Sequence, residues 1–275
     1  MDAKPLISII TPLYNQAPYI QQTILSVINQ TYENWEWIIL DDGSTDDTGE
    51  IIKKNSDTRI KYFFQEHSGI KNLTKTFNKA LSLTNGSLVA TLDGDDYWTE
   101  DKLETQIKAF NDPASVLCYS EARLVNKNNK KISYIGIPAD FSIASNNPAG
   151  SALKELLVNR RCFIVNSTVI YRKDNLLKIG GFTEAKGIAQ DYPTWIKLSL
   201  EGHFTPVYKC LGYYRKHPSS LTQNVDAEAW FEDETNFLQQ FISENSKRLG
   251  ILGIKYDKKI LSEAWQKTKL YIPYN

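Results

Sequence analysis

The sequence lacks several features that would each point to a class of protein. No stretch of the 275 residues approaches the ~18 consecutive apolar residues that a membrane-crossing helix needs. Neither sign of charge dominates: 32 lysines and arginines face 32 aspartates and glutamates, so nothing points to nucleic acid as a partner. Cysteine is scarce. Cys118, Cys162 and Cys210 lie far apart, fit no metal-ligand spacing and make no even-numbered framework, so three buried thiols in a reducing compartment are expected. Near the N-terminus, Asp2 and Lys4 precede only a short apolar run, unlike a signal peptide, so a cytoplasmic location is expected. Glycine-rich phosphate cradles are missing too. No G-x-G-x-x-G follows the first apolar run and no P-loop occurs, which excludes a dinucleotide-dependent dehydrogenase and a P-loop kinase. The same lack counts against a sugar nucleotidyltransferase. There are no internal repeats and no low-complexity linker.

What is present is ordinary globular composition, 41% hydrophobic and 23% charged, with fifteen tyrosines and six tryptophans as flat amphipathic surfaces. The length suits one large domain or two small ones. Through the first hundred residues, short β-rich runs alternate with helical spacing. Residues 6–11, 35–40, 60–64 and 88–92 read as strands. Between them Ile20, Ile24, Val27 and Ile28, then Ile51 and Ile52, then Leu73, Phe77 and Leu81 mark helices. A βαβαβαβ order predicts a Rossmann-like, mainly parallel sheet flanked by helices. Ligands of such sheets bind beyond the carboxyl ends of the strands. Here those ends read TPLYN, DDGS and DGDD, two of them acidic.

Further on, residues 116–119, 132–137 and 167–171 read as strands, 151–158 and 195–200 as helices, and 138–150 as a loop. From about residue 226 the pattern is mainly helical, with Trp230, Phe237, Leu238, Phe241 and Ile242 on one face. The expected organisation is one domain over 1–224, its first half over about 1–98 and its second over 99–224, followed by a helical C-terminal extension over 225–275.

The stretch ATLDGDDYWTED, residues 90–101, ends an apolar run in Asp93, Asp95 and Asp96, with Glu100 and Asp101 close behind. Carboxylates so near one another raise each other's pKa, and a divalent cation offsets that cost. A solvated turn is the plain alternative. An EF-hand fits badly: counted from Asp93, the sixth position is Trp98 where the loop needs glycine, and a strand precedes it.

Four segments in order carry a resemblance: SIITPLYNQAPYIQQTILSVINQTYENWEWIILDDGSTDDT, NKALSLTNGSLVATLDGDDYW, GGFTEAKGIAQDYPTWIKLS and YYRKHPSS, covering about residues 6–220. The chain resembles the family-two glycosyltransferases of GT-A fold. The resemblance implies an enzyme that moves a sugar from a nucleotide donor, UDP-linked in the commoner case, to an acceptor hydroxyl with inversion at the anomeric carbon. Asp42 resembles the residue that accepts a hydrogen bond from uracil, with Asp41 in support, and its alternative is a turn or cap. Asp46 reads as a helix cap. Thr11, Pro12 and Tyr14 resemble the wall of the base and ribose pocket, although Tyr14 equally suits a plain core. Lys71 and Asn78 lie near the donor pocket in this comparison.

Asp93 and Asp95 match the family's D-x-D, with Asp95 on the metal and Asp93 nearer the ribose. Oxygen ligands favour Mg²⁺ or Mn²⁺. Asp96 matches nothing specific and shapes the turn. Asp191 matches the general base, although its place before a helical run also suits an N-cap. The family usually has Glu immediately before this Asp, and here Gln190 stands instead. Glu184 is the next carboxylate within reach of an acceptor. Arg215 and His217 resemble a mobile loop that closes over the pyrophosphate, with His217 able to reach the metal.

The implied partners are a UDP-sugar and a glycan or lipid-linked glycan acceptor of the kind used in bacterial surface polysaccharide synthesis. Trp230, Phe231, Trp265, Tyr271 and Tyr274 in the C-terminal helices offer peripheral contact with the inner face of the cell membrane, a homodimer surface or a simple cap on the domain. Two other readings stay open: a non-catalytic nucleotide-sugar-binding protein on the same scaffold, and the nucleotidyltransferase.

Overall fold

The structure, a computed structural model, describes residues 4–137, 151–158, 163–184, 190–221 and 227–254. At its centre β1 (Ile7–Leu13) is buried along all seven residues. A strand covered on both faces is written as a nearly continuous apolar run, as ISIITPL is. Strand β2 (Trp35–Asp41) lies parallel on one side of β1 and β4 (Leu88–Thr91) parallel on the other, with β3 (Ile60–Phe64) parallel beyond β2.

Helices α1 (Ile20–Ile28), α2 (Thr48–Lys53) and α3 (Leu73–Ser82) make the crossovers. Side-chain alternation splits the strands between two cores. Ile7, Ile9, Leu13, Trp37 and Ile39 pack with Ile20, Ile24 and Val27 of α1. Ile10, Ile38 and Leu40 pack on the opposite face with Phe77 and Leu81 of α3.

A buried polar network ties Ser8 of β1, Glu36 of β2 and the turn before β4 together. Burial alone would raise the Glu36 carboxyl. Lys61 Nζ at 2.7 Å, Ser8 Oγ at 2.6 Å, Asn85 N at 2.5 Å and Asn85 Nδ2 at 2.9 Å outweigh it and hold the group at about 2. The same turn needs Gly86, because a Cβ there would lie 2.5 Å from the Leu6 carbonyl oxygen.

The second half is more sheet-rich than the sequence suggests. Strand β5 is the short Tyr97–Trp98, and α4 (Lys102–Gln106) follows it. Strand β6 runs over Ser115–Asn126, well beyond the expected 116–119, and β7 is Lys131–Ile135. A helix over residues 151–158 (α5) is α-helical at its start and widens to π geometry after Leu153. Next come β8 (Ile170–Arg172), α6 (Lys173–Lys178) and α7 (Asp191–Leu198). The fourteen-residue β9 (His203–Lys216) was not expected at all. Its burial switches irregularly along its length, so no clean period of two marks it as a strand.

The strand order is β3-β2-β1-β4-β8-β6-β9-β5, with β7 paired to β6. Strand β8 joins both β4 and β6 antiparallel, so a parallel half continues into a mixed half. Helix α8 (Ala227–Ile251) sends Leu238, Phe241 and Leu249 into the core that holds Trp195 and Phe204. Arg248 adds bonds to the Leu200 carbonyl and Glu201. The helix read as an extension therefore shares the main core. Trp265, Tyr271, Tyr274, Cys162, the 138–150 loop and the side chain of Phe231 lie outside the described residues. Cys118 is buried and free; Cys210 is free and half-buried. Among the described residues no helix is long and apolar enough to cross a membrane.

Candidate active site

A cavity of about 830 Å³ opens beyond the carboxyl ends of β1, β2 and β4. Pro12, Tyr14 and Asp42 line one end, Asp93 and Asp95 the middle, and Gln190, Asp191 and Tyr192 the far end. All three polar strand ends read from the sequence contribute to it. The turns are stitched together by short polar residues. Asn15, at φ 52°, takes the left-handed conformation that asparagine tolerates, and its Oδ1 accepts from Thr45 N at 2.8 Å. Asp46 accepts from Thr48 N at 3.0 Å at the start of α2, a capping contact, and from Ala17 N at 3.1 Å.

At the first end the Asp42 carboxylate is crowded with donors. It accepts from Gln65 Nε2 at 2.5 Å, Ser68 Oγ at 2.7 Å, Ser68 N at 3.1 Å and Gly69 N at 3.3 Å, with His67 Nδ1 3.0 Å away. Burial pushes its pKa up, but these bonds outweigh burial and hold it below the usual carboxylate range. The His67 ring stacks on Tyr14 with centroids 4.1 Å apart. Asp41 supports the turn beneath, accepting from Ser44 N and from Tyr62 Oη at 2.8 and 2.7 Å. Gly43, at φ +81°, lies so close to His67 that a Cβ would meet its backbone nitrogen at 2.6 Å.

In the middle three aspartates share one buried turn. Ser167 Oγ lies 2.5 Å from Asp96 Oδ2 and 3.2 Å from Asp93 Oδ2, and Asn166 Nδ2 donates to Asp93 Oδ1 at 3.1 Å. Burial, then the charges of Asp95 and Asp191, push Asp93 up to about 7. Burial and the charges of Asp95 and Asp93 push Asp96 well up as well. Asp96 is fully buried and accepts from Arg215 N at 2.8 Å, so it fixes the turn. Asp95 faces the cavity, with His217 Nε2 2.8 Å from its Oδ2.

Asp191 is the first residue of α7, and its Oδ1 accepts from Tyr192 N at 2.7 Å. Burial raises its carboxyl above the usual range, two backbone hydrogen bonds act against that, and the Glu234 charge adds to the rise.

The remaining candidates sit elsewhere. Thr11 is buried behind the wall, donating to the Leu92 carbonyl at 2.6 Å and accepting from Trp37 Nε1 at 2.9 Å. Lys71 is exposed and outside the cavity lining. Asn78 clamps the Phe182 backbone with two 2.8 Å bonds and is not part of this cavity's lining. Arg215 belongs to no open loop: it is 1% exposed and donates to the Asp95 carbonyl, Asn129 and Gln22 at 2.7, 2.6 and 2.8 Å. A guanidinium so engaged braces the acidic turn. Glu184 is exposed and lies off the cavity lining. Sequence reading missed Ser167, Asn166, His67 and Glu234, and read Trp230 as a membrane, dimer or capping residue rather than as part of this cavity. Ser167 meets Asp93 across 74 positions, and no local spacing signals such a contact.

Among the described residues no three His, Cys, Asp or Glu side chains converge as a finished metal cage. The donor set nevertheless fits a small hard cation. Mg²⁺ and similar ions are held by one or two carboxylates, with substrate phosphates and water completing the shell. Asp93 and Asp95 supply the carboxylates and His217 an adjacent imidazole. Burial raises Asp93 first and the Asp95 charge adds to the rise, and that added charge is what a cation would offset.

A parallel βαβ half, a mixed half and an acidic pocket at the strand ends define a GT-A-type sugar-transfer scaffold. The family model for glycosyl transferase family 2 matches residues 8–178, and the chain belongs to that family. It is 38% identical over 222 residues to the Escherichia coli enzyme WfgD, a UDP-Glc:alpha-D-GlcNAc-diphosphoundecaprenol beta-1,3-glucosyltransferase, covering 80% of each chain. Two solved structures share the fold. S. aureus TarS 1-349 in complex with UDP-GlcNAc has a TM-score of 0.66 at 24% identity, covering 86% of this chain and 66% of that one. The mannosyltransferase PcManGT from Pyrobaculum calidifontis, in complex with GDP-Man and Mn²⁺, has a TM-score of 0.61 at 17% identity, covering 90% and 65%.

Proposed function

We propose that this glycosyltransferase moves a sugar from a UDP-sugar to an acceptor hydroxyl by a single inverting displacement. The observation that carries the reading is the sharing of one cavity by Asp42, Asp93, Asp95 and Asp191. These acids come from two strand ends and a helix start, and a structural role needs no such convergence. Support for the donor comes from the resemblance to WfgD, whose name states a UDP-sugar donor.

In this reading Asp42 and Tyr14 receive the base. The donors already on Asp42 give it a fixed orientation, and one of them yields to the uracil N–H. Asp93 and Asp95, with His217, would hold the Mn²⁺ or Mg²⁺ ion. When bound, that ion offsets negative charge on the leaving nucleoside diphosphate. Arg215 holds the Asp95 backbone and Asp96 holds the turn, so the carboxylates stay placed without substrate.

Asp191 takes the proton from the acceptor hydroxyl. That oxygen bonds to the anomeric carbon as the bond from this carbon to the phosphate oxygen breaks, and UDP leaves with the electron pair. Burial makes Asp191 a stronger base than a surface carboxylate, which suits this task. The acceptor is a glycan or lipid-linked glycan in surface polysaccharide synthesis; the name of WfgD states a diphosphoundecaprenol-linked sugar as its acceptor. Such an acceptor brings the enzyme to the cytoplasmic face of the membrane.

The test is a panel of UDP-, GDP- and ADP-sugars assayed with Mn²⁺ for thermal stabilisation and nucleoside diphosphate release. A ligand at a hundredfold excess over its Kd stabilises by roughly 2.7 kcal/mol. Selective stabilisation and UDP release by one UDP-sugar is the expected result. A panel without any responding UDP-sugar removes the donor assignment.

A further inference from the structure

One helical stripe of α8 changes character along its length. Trp230, Glu234, Leu238, Phe241 and Leu249 recur at helical spacing. The last three are buried in the main core, and Arg248 pins that end to Leu200 and Glu201. The first two reach the cavity that holds Asp191. The core contacts fix the rotation of the helix, so the direction of its first turns follows from its anchoring.

A tryptophan and a glutamate at those positions would be poor core residues. Of the tryptophans described, Trp35, Trp37, Trp98 and Trp195 are buried at 3% exposure or less, whereas Trp230 keeps a partly open face on the cavity wall. A half-open indole and a carboxylate sharing a cavity with the half-buried Asp191 are the chemistry of a sugar-ring site. The flat face packs on the C–H face of a pyranose and carboxylates accept from its hydroxyls.

We propose that α8 forms the acceptor subsite, with Trp230 as the platform for an uncharged sugar ring whose nucleophilic hydroxyl faces Asp191. This rests on the reading of Asp42 and Asp95 as the donor end. The charge of the cavity selects the ring. Asp42, Asp93, Asp95, Asp191 and Glu234 line it, and among the described lining residues there is no lysine or arginine. A ring bearing its own carboxylate meets repulsion from Glu234 and Asp191 at that end.

The experiment uses the full chain with the productive UDP-sugar and Mn²⁺. Its probes are octyl glycosides of neutral hexoses and N-acetylhexosamines, with octyl glucuronide as the charged counterpart. UDP affinity by calorimetry and Tm are recorded for every variant. The expected wild-type result is transfer to a neutral glycoside and poor transfer to the glucuronide. Trp230→Ala raises the acceptor KM about tenfold, near the upper value of an aromatic contact, with UDP affinity and Tm close to wild type. Trp230→Phe retains most of the acceptor affinity, and Glu234→Gln narrows the preference for neutral over charged rings.

An unchanged acceptor KM in Trp230→Ala, equal use of the glucuronide, or no transfer to any neutral glycoside overturns the subsite while the UDP affinity of the wild type leaves the donor end intact. Absence of UDP binding in the wild type removes the donor reading and this proposal with it.

Discussion

His217 Nε2 lies 2.8 Å from Asp95 Oδ2, with the imidazole side chain 1% exposed and its ring 4.4 Å from that of Tyr19. The backbone carbonyl of Asp95 is held at the same time by Arg215 Nε at 2.7 Å. One cation placed between carboxylate and imidazole would replace the hydrogen bond that joins them now. EDTA is therefore expected to abolish UDP release, and Mn²⁺ or Mg²⁺ to restore it. His217→Ala should raise the Mn²⁺ concentration for half-maximal activity about 10–100-fold, the range seen when groups around a metal are removed. Asp95→Ala should leave damage that added metal does not repair. A metal titration of the three proteins gives the answer, and full activity in EDTA would remove the metal from the mechanism.

Asp42 carries the second prediction. Its carboxylate already accepts from Gln65, Ser68 and Gly69, so base recognition here exchanges one hydrogen bond for another. UDP should bind better than GDP or ADP, and Asp42→Ala should weaken UDP by about 1–3 kcal/mol, the range for a bond to a charged group. Calorimetry on the three diphosphates decides the matter. Equal affinities would mean that Asp42 only organises the 65–69 turn.

Lys102 is a third case, unrelated to the chemistry. Its ammonium group is fully buried without a hydrogen-bond partner, 4.1 Å over the Trp98 ring, and burial pushes its pKa down to about 7. The neighbouring Cys118 thiol is pushed up to about 12 by its own burial and stays neutral, so it offers no compensating charge. The folded state thus binds this proton less readily than the unfolded state. Stability supplied by the neutral amine is complete above the unfolded pKa of 10.5 and is lost as pH falls towards 7. Lys102→Met should therefore stabilise the protein at pH 7 by on the order of 2–4 kcal/mol and flatten the rise between pH 7 and 10. Urea denaturation at several pH values measures both. A variant less stable than wild type at pH 7 would show that the amine is solvated or paired in solution.

The sequence made the parallel half legible for a physical reason. Strands buried on both faces are unbroken apolar runs, and their polar ends stand out as TPLYN, DDGS and DGDD. The long β9 was not legible, because its neighbours differ along its length and no single period survives. Arg215 shows the limit of reading roles from local context. Its surroundings, YYRKHPSS, look like an open loop, yet it lies within β9 and meets Asp95, Asn129 and Gln22 from distant segments. Ser167 and Glu234 were invisible for the same reason: both act across the fold rather than along the chain.

Asp191 is where a structural and a catalytic role make opposite forecasts. Its Oδ1 accepts from Tyr192 N at the start of α7, which asparagine would do almost as well. If that were its whole role, Asp191→Asn would be nearly silent. As the base that takes the acceptor proton, the same change keeps the shape and removes the proton acceptor. General-base catalysis contributes about 10²–10⁴-fold, so kcat should fall by that factor while UDP affinity and Tm hardly move. The pH profile adds a second reading. Burial raises the Asp191 carboxyl, and a base works only when deprotonated, so kcat should fall on the acid side at a pH above the normal carboxylate range. That limb should vanish from the residual activity of Asp191→Asn. Normal turnover by the variant would sink the assignment, and the base would then be sought in Glu234, which shares the cavity, ahead of the exposed Glu184.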